Sequence, residues 1–236
     1  MNSLVKEIKE NPIIIDNVIE YEQSEHIKNI ILENLLWRLS PSTSPLREKK
    51  RYNEVDLDNN LKEAQQMVAH VIDCCEGGGS HLAPENGNWE PYILLPLYMG
   101  LLSRGLVINR NWMFRVKINY QPKQDISFKN KWNFPHVDVL DEESNHITAL
   151  YYPFDSDGDT TLFKNNYKHL YNNKKEKLEP FLTVPPKQGR IIFFWGKTIH
   201  AGTHPVENDY RVCINYNFRL PEDYSIDKDK LYPSFT

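Results

Sequence analysis

Residues 190–219 read RIIFFWGKTIHAGTHPVENDYRVCINYNFR, and this stretch decides the fold class. Its two β-branched and aromatic runs, 190–195 and 211–219, are separated by turn-formers at Glu207 to Asp209. Apolar residues recur with a period near two, which is the signature of strands rather than helices. The same character holds upstream in 112–120 (WMFRVKINY), 146–153 (HITALYYP) and 159–163 (DTTLF), with turn-formers at 155–158 and 185–189. Many short strands with no helices between them predict an antiparallel sandwich or barrel. Within 112–120, Arg115 and Lys117 alternate with Phe114, Val116 and Ile118, so they are expected on a solvated face.

Further upstream the pattern turns helical. Residues Ser24 to Leu39 place Ile27, Ile30, Ile31, Leu35 and Leu36 on one helical face, with Ser24 as N-cap and Pro41 just past the end. Residues 41–55 read as a polar loop. A second helix is expected from Leu57 to Cys74, stopping before Gly77, Gly78 and Gly79, and a third from Pro91 through about Arg104. No internal repeat and no linker is visible. The expectation is a single domain over 1–236: a mainly helical support region (1–110), a β core (111–220) and a C-terminal tail (221–236), with helices packed on one outer face.

Of the 236 residues 40% are apolar, enough to bury a core and to exclude a disordered chain. The 28 basic and 32 acidic residues leave a net charge of −4, so the chain as a whole is not built to hold polyanions, although the basic run 47–51 (REKKR) leaves a local patch open. The longest mostly apolar stretch, Tyr92 to Leu102, is 11 residues with Pro96 inside, short of the roughly 20 that span a bilayer. Three cysteines (Cys74, Cys75, Cys213) form no zinc pattern, and the charged start MNSLVKEIKE lacks the apolar run of a secretion signal; a cytoplasmic location is expected.

The chemistry concentrates at His136-Val137-Asp138. On a strand, residues i and i+2 share a face, so one imidazole and one carboxylate project together. Taken alone the pair also fits a solvated strand edge. His200, beyond the apolar strand 191–195, adds a second imidazole, and two histidines with one carboxylate can cap one face of an octahedral metal while leaving positions open, as in non-haem Fe(II) oxygenases. Arg211 on a neighbouring strand offers a two-pronged donor for a carboxylate. His204 is a rival ligand, but Gly202 and Pro205 argue against the helix that an i, i+4 pair needs. His146 is expected at the surface.

The segments FRVKINY (114–120), PHVD (135–138), ITALYY (147–152), GDTTLF (158–163), PPKQGRIIFF (185–194) and IHAGTHPVENDYRVCINYNF (199–218) together resemble the Fe(II)- and 2-oxoglutarate-dependent dioxygenase superfamily, in its prolyl-hydroxylase-like branch. They come in the family's order over roughly residues 112–220; the N-terminal third is similar only in being helical. The resemblance implies a double-stranded β-helix, or jelly-roll, core. It implies His136, Asp138 and His200 as iron ligands, Arg211 as the partner of the distal carboxylate of 2-oxoglutarate, and Tyr120 and Tyr152 as residues of the co-substrate pocket, with Asn215 at its border. The segment between Tyr120 and His136 is longer than in close hydroxylases, and Gly158-Asp159 stands where many members have two glycines. The implied activity uses Fe(II), 2-oxoglutarate and O2, with ascorbate as an accessory, to hydroxylate a peptidyl (prolyl-like) or small-molecule substrate and release succinate and CO2. An intact Asp138 sets the chain apart from related halogenases, which lack that ligand. Modified nucleic acid as substrate, and a non-catalytic cupin-like metal-binding protein, are the other readings; no membrane partner is expected. The loop 121–135, with Phe128, Trp132 and Phe134, fits either a lid or a packed rim, and 164–180 a polar surface insertion.

Overall fold

The computed structural model describes residues 3–40, 64–74, 80–139, 146–170 and 177–219. The basic run 47–51, the loop 41–55, the start of the expected second helix and the tail 221–236 lie outside them. Among the described residues, two antiparallel sheets face each other. The larger has the strand order β1 (Ile13–Ile15), β9 (Arg190–Trp195), β6 (Ile147–Tyr152), β11 (Tyr210–Phe218), β5 (Met113–Pro122), β3 (Gln66–Cys74) and β2 (Arg38–Ser40), with β4 (Ser80–Leu82) also paired to β3. The smaller has the order β10 (Thr198–Gly202), β7 (Thr160–Asn166), β8 (Pro180–Val184). This is a mainly β, jelly-roll architecture, as expected. Three helices, α1 (Ser3–Glu10), α2 (Tyr21–Asn29) and α3 (Glu90–Leu102), accompany the strands. None of the described helices is long and apolar enough to cross a membrane.

Strand alternation divides the larger sheet into two chemically different faces. Val116 and Ile118 of β5, Val212, Ile214 and Tyr216 of β11, Ala149 and Tyr151 of β6, and Ile191 and Phe193 of β9 join one core with Ile27, Ile30 and Ile31 and with Ile93, Leu94, Leu97 and Leu101 of α3. Two hydroxyls tie the helices to this face: Tyr216 donates to the Ile93 carbonyl at 2.6 Å, and Tyr151 shares a hydrogen bond with Ser24 at 3.1 Å. Ser24 is therefore a buried packing contact. The N-cap of α2 is Glu20, which forms a capping box with Gln23. The helix passes into a π-turn over Ile30–Asn34 and gives way to β2, earlier than the expected end at Leu39.

The described part of the expected helix from Leu57 to Cys74 is strand β3. Its Met67, Val68, Ala69 and His70 pair with Tyr120, Asn119, Ile118 and Lys117 of β5, with a bulge before Ile72. The apolar residues satisfied a helical period, but the backbone hydrogen bonds available along β5 outweigh that local preference. The expected third helix is α3, with Pro91 near its start. β8 and β10 were not anticipated from the sequence. Both are short and lie in the smaller sheet, β8 with an exposed Phe181.

Phe193 is 1% exposed and sits between sheet and helices, whereas Phe181 is 41% exposed. Phe193→Ala is expected to lower unfolding stability by about 3–5 kcal/mol and Phe181→Ala by less than about 1 kcal/mol. Urea midpoints for the two variants check this, and equal losses would contradict the assignment of the core.

Candidate active site

His136 and His200 are backbone partners. Each donates its N–H to the other's carbonyl at 2.9 Å, so an isolated antiparallel bridge joins the segment before β6 to β10. The bridge sets the imidazoles side by side, with ring centroids 4.6 Å apart. Nδ1 of His136 bonds the Phe134 carbonyl at 2.9 Å and Nδ1 of His200 the Thr198 carbonyl at 3.1 Å. A carbonyl only accepts, so each Nδ1 carries the proton and each Nε2 keeps a lone pair. Those Nε2 atoms lie 4.0 and 3.8 Å from the Asp138 carboxylate oxygens.

The three ligand atoms all fall within 4.8 Å of one another. Two lone pairs and a carboxylate facing one point repel unless protons or a cation lie between them. Burial disfavours the protons. It pushes both imidazoles below their usual titration range, and for His136 the neighbouring His200 adds to the effect. The donor set of two nitrogens and one oxygen, with open positions beyond, suits a divalent iron-type metal.

Asp138 is held by a dense shell of donors. Arg115 reaches it at 2.7 Å, Asn215 at 3.0 and 3.1 Å, Asn217 at 3.0 Å and Thr148 at 3.2 Å. Burial alone would raise its pKa, but the Arg115 guanidinium beside it holds the carboxyl well below the usual range. Arg115 thus belongs to the inner face of β5, and Lys117, Asn119 and Gln121 share its parity and line the cavity. The expected solvated face is the polar lining of the barrel. An alternating polar row reads the same in sequence whether water or a polar cavity lies opposite it.

Arg211 stands at the other side of the cavity, 4% exposed. Its guanidinium donates to Gln121 Oε1 at 2.7 Å, Thr160 Oγ1 at 2.6 Å and the Gly158 carbonyl at 2.5 Å. All three acceptors are neutral, and among the described residues it forms no salt bridge with a carboxylate. A buried cation in that state favours an anionic ligand. Gly158 is required for this placement: a Cβ there would lie 2.6 Å from Arg211 Cδ and 2.7 Å from the Thr203 carbonyl oxygen. Asp159 in place of a second glycine leaves the turn intact, its backbone carbonyl accepting from Thr203 at 2.9 Å.

The two tyrosines part company. Tyr152 lies inside the barrel, with the Arg211 guanidinium 5.9 Å from its ring centroid; its hydroxyl donates to Thr160 at 2.8 Å, and burial pushes its pKa up to about 12. It supports the arginine from behind the cavity wall. Tyr120 points the opposite way and packs on Trp37 at 5.7 Å and Tyr210 at 5.4 Å, on the helix-covered face. Strand parity is the reason: odd-numbered residues of β5 face inward, so Gln121 takes the place expected of Tyr120.

The remaining histidines stay out of the triad. His204 is buried beside Phe128, with ring centroids 5.6 Å apart, and burial pushes its pKa down to about 4. His146 is fully buried against Phe114, not at the surface as expected. Arg190 is committed to Asp16 at 2.6 and 3.0 Å and lies away from the cavity. The loop aromatics form a packed rim: Trp132 meets Phe163 edge-on at 5.0 Å, and Trp132 and Phe134 cluster with Val137, Ile199 and Ala201.

The cavity is walled by His136, His200, Arg211, Asn215, Thr160 and several amide side chains. No protein-family model matches the chain, and no curated protein matches it in sequence. Solved structures do match. A 2OG-Fe(II) oxygenase family oxidoreductase from Burkholderia pseudomallei is 11% identical over 89% of this chain and 85% of that one, with a TM-score of 0.57. A prolyl hydroxylase from Trichoplax adhaerens, in complex with a hypoxia inducible factor peptide fragment, is 16% identical over 91% and 86%, with a TM-score of 0.52. The non-heme alpha ketoglutarate dependent epimerase SnoN from nogalamycin biosynthesis is 12% identical over 94% and 92%, with a TM-score of 0.50. At such identities the likeness is one of fold, and the chain has the fold of the 2OG-Fe(II) oxygenase superfamily, with a prolyl hydroxylase among its structural neighbours.

Proposed function

We propose that this protein is an Fe(II)- and 2-oxoglutarate-dependent oxygenase that uses O2 to hydroxylate a peptidyl (prolyl-like) or small-molecule substrate, with release of succinate and CO2. The observation that carries the reading is the pairing, at one cavity, of a His136–Asp138–His200 donor set with a buried Arg211 that among the described residues forms no salt bridge with a carboxylate. His136, Asp138 and His200 would hold the metal through Nε2, a carboxylate oxygen and Nε2. Bound there, iron with 2-oxoglutarate supplies the oxidising power that no side chain of the cavity possesses.

The chain's own residues do the positioning. Arg115, Asn215, Asn217 and Thr148 keep Asp138 ionised and fixed. The carbonyls of Phe134 and Thr198 keep the imidazole lone pairs turned inward. Arg211, steadied by Gln121 and Thr160, would grip the distal carboxylate of the co-substrate, while Leu150 and Cys213 exclude water from part of the wall. A non-catalytic metal-binding role gives Arg211 no carboxylate partner and is the weaker reading. A nucleic-acid substrate calls for a basic groove, whereas Lys123 and Lys129 are engaged with Glu207.

With Fe(II) and O2 the protein is expected to convert 2-oxoglutarate to succinate; metal-independent or absent binding of 2-oxoglutarate would reject the reading. Asp138→Ala and His200→Ala should abolish Mn(II) binding, followed by the electron paramagnetic resonance of the free ion. Arg211→Ala should keep Mn(II) affinity but weaken 2-oxoglutarate binding by roughly tenfold to a hundredfold, the scale of hydrogen bonds to a charged group. An equal loss of metal affinity would show that its role is misplaced.

The pH dependence has a definite sign. Protons compete with the metal only below the imidazole pKa, and here that pKa is lowered, for His136 to about 4. Mn(II) affinity should therefore stay level from pH 8 to about pH 6 and fall only at lower pH. A break centred near the ordinary histidine value of about 6.5 would contradict the buried, neutral assignment.

A further inference from the structure

Asn133 belongs to the cavity wall but serves neither the metal triad nor the Arg211 cluster. It is 1% exposed, and among the described residues neither its side-chain oxygen nor its nitrogen has a hydrogen-bond partner. Because both atoms are unpaired, turning the amide over changes nothing: one donor group and one acceptor stand ready at the cavity shared with His136, His200 and Arg211. A buried carboxamide in that state is costly unless a ligand completes it.

The main chain holds it there. Trp132 forms a bridge with Thr203, the Asn133 N–H donates to the Gly202 carbonyl at 2.8 Å, and three residues after Asn133 His136 pairs with His200. The position is thus part of the same scaffold as the metal ligands. Asn215 adds a second open acceptor. Its nitrogen is committed to both Asp138 oxygens, so its unpaired oxygen is turned away from that carboxylate.

The chemistry of these groups selects the ligand. A carboxylate offers acceptors alone and leaves both amide oxygens unmatched. An ammonium offers donors alone and leaves the Asn133 nitrogen unmatched. A peptide amide or carboxamide carries an N–H and a C=O side by side and matches both. The wall contains Leu150 and Cys213 but no Phe, Tyr or Trp among the described residues, so it reads polar groups rather than an apolar ring.

We infer that Asn133, assisted by Asn215, reads an amide group of the primary substrate beside the metal triad. This rests on the oxygenase reading and deepens it, by naming the functional group recognised and a specificity-determining residue for it.

The test avoids turnover. The full chain is loaded with Mn(II) and 2-oxoglutarate, and N-acetyl-L-proline N-methylamide is titrated against its methyl ester, which lacks the amide N–H. Paramagnetic broadening of the probe's proton resonances by Mn(II) reports binding beside the metal. The amide is expected to bind the wild type at least about tenfold more tightly than the ester, and Asn133→Ala and the near-isosteric Asn133→Leu, which both lack the acceptor that meets the amide N–H, to bring the amide down to the ester's level. Affinity for 2-oxoglutarate should change by less than about threefold in both variants if Asn133 is given to the substrate as inferred. The comparison of amide with ester on the wild type needs no variant to fold. Equal affinities for the two probes, no broadening of the amide, or an amide preference that survives both substitutions would overturn the inference and leave the oxygenase reading standing. A tenfold loss of 2-oxoglutarate affinity in Asn133→Ala would reassign the residue to the co-substrate. Failure of the wild type to bind 2-oxoglutarate with Mn(II) would remove the oxygenase reading itself, and this inference with it.

Discussion

Everything at the centre of this molecule depends on one reciprocal pair of backbone hydrogen bonds, between His136 and His200. The bridge joins the segment after the 121–135 loop to a short strand of the smaller sheet. Without it, two imidazoles separated by more than sixty positions in the chain would have no reason to lie ring against ring. With it, their Nδ1 atoms find carbonyls two residues back in the chain, Phe134 and Thr198, and their lone pairs are directed at Asp138. A repeated local geometry on both sides of the bridge thus does the work of orientation. Unprotonated nitrogens and a carboxylate brought together in this way repel one another unless a proton or a cation lies between them.

The second constraint is the division of each strand of the larger sheet into an apolar and a polar row. Val116, Val212, Ile214 and Ala149 face the helices and close the core, while Arg115, Gln121, Arg211 and Asn215 face the smaller sheet and build the site. One strand therefore supplies stability and chemistry at once, and a register slip of a single residue would exchange them. Hydroxyl contacts from Tyr151 and Tyr216 to α2 and α3 fasten the helices to the apolar row and so oppose such slips.

Charge stands at two ends of the site: Asp138 with Arg115 beside the two histidines, and Arg211 with neutral acceptors at the other. The difference matters chemically. Arg115 already has its carboxylate and acts on the position and ionisation of Asp138. Among the described residues Arg211 forms no such pair, and the missing Cβ atoms of Gly158 and Gly202 leave room for its side chain. Between these ends lie amide side chains, whose unmatched donors and acceptors give the cavity its polar character.

The sequence named His200 and Arg211 as site candidates through the resemblance of its ordered motifs, whereas the β character of the C-terminal half, the helix α3 and the His136–Asp138 pair it determined by itself. These are local: a period of two, a proline near a helix start and an i, i+2 pair are written within a few residues of one another. Only the tertiary structure decided that residues 66–74 are a strand, because that choice turns on the hydrogen bonds offered by β5 some fifty positions away. It alone turned Arg115 inward and Tyr120 outward, since parity says which residues share a face but not which face meets the cavity. It also brought Asn133 to the wall, through a pairing with Gly202 that no local pattern records. Distances between side chains remote in sequence depend on how the sheets close on each other, and that closure is a property of the whole chain.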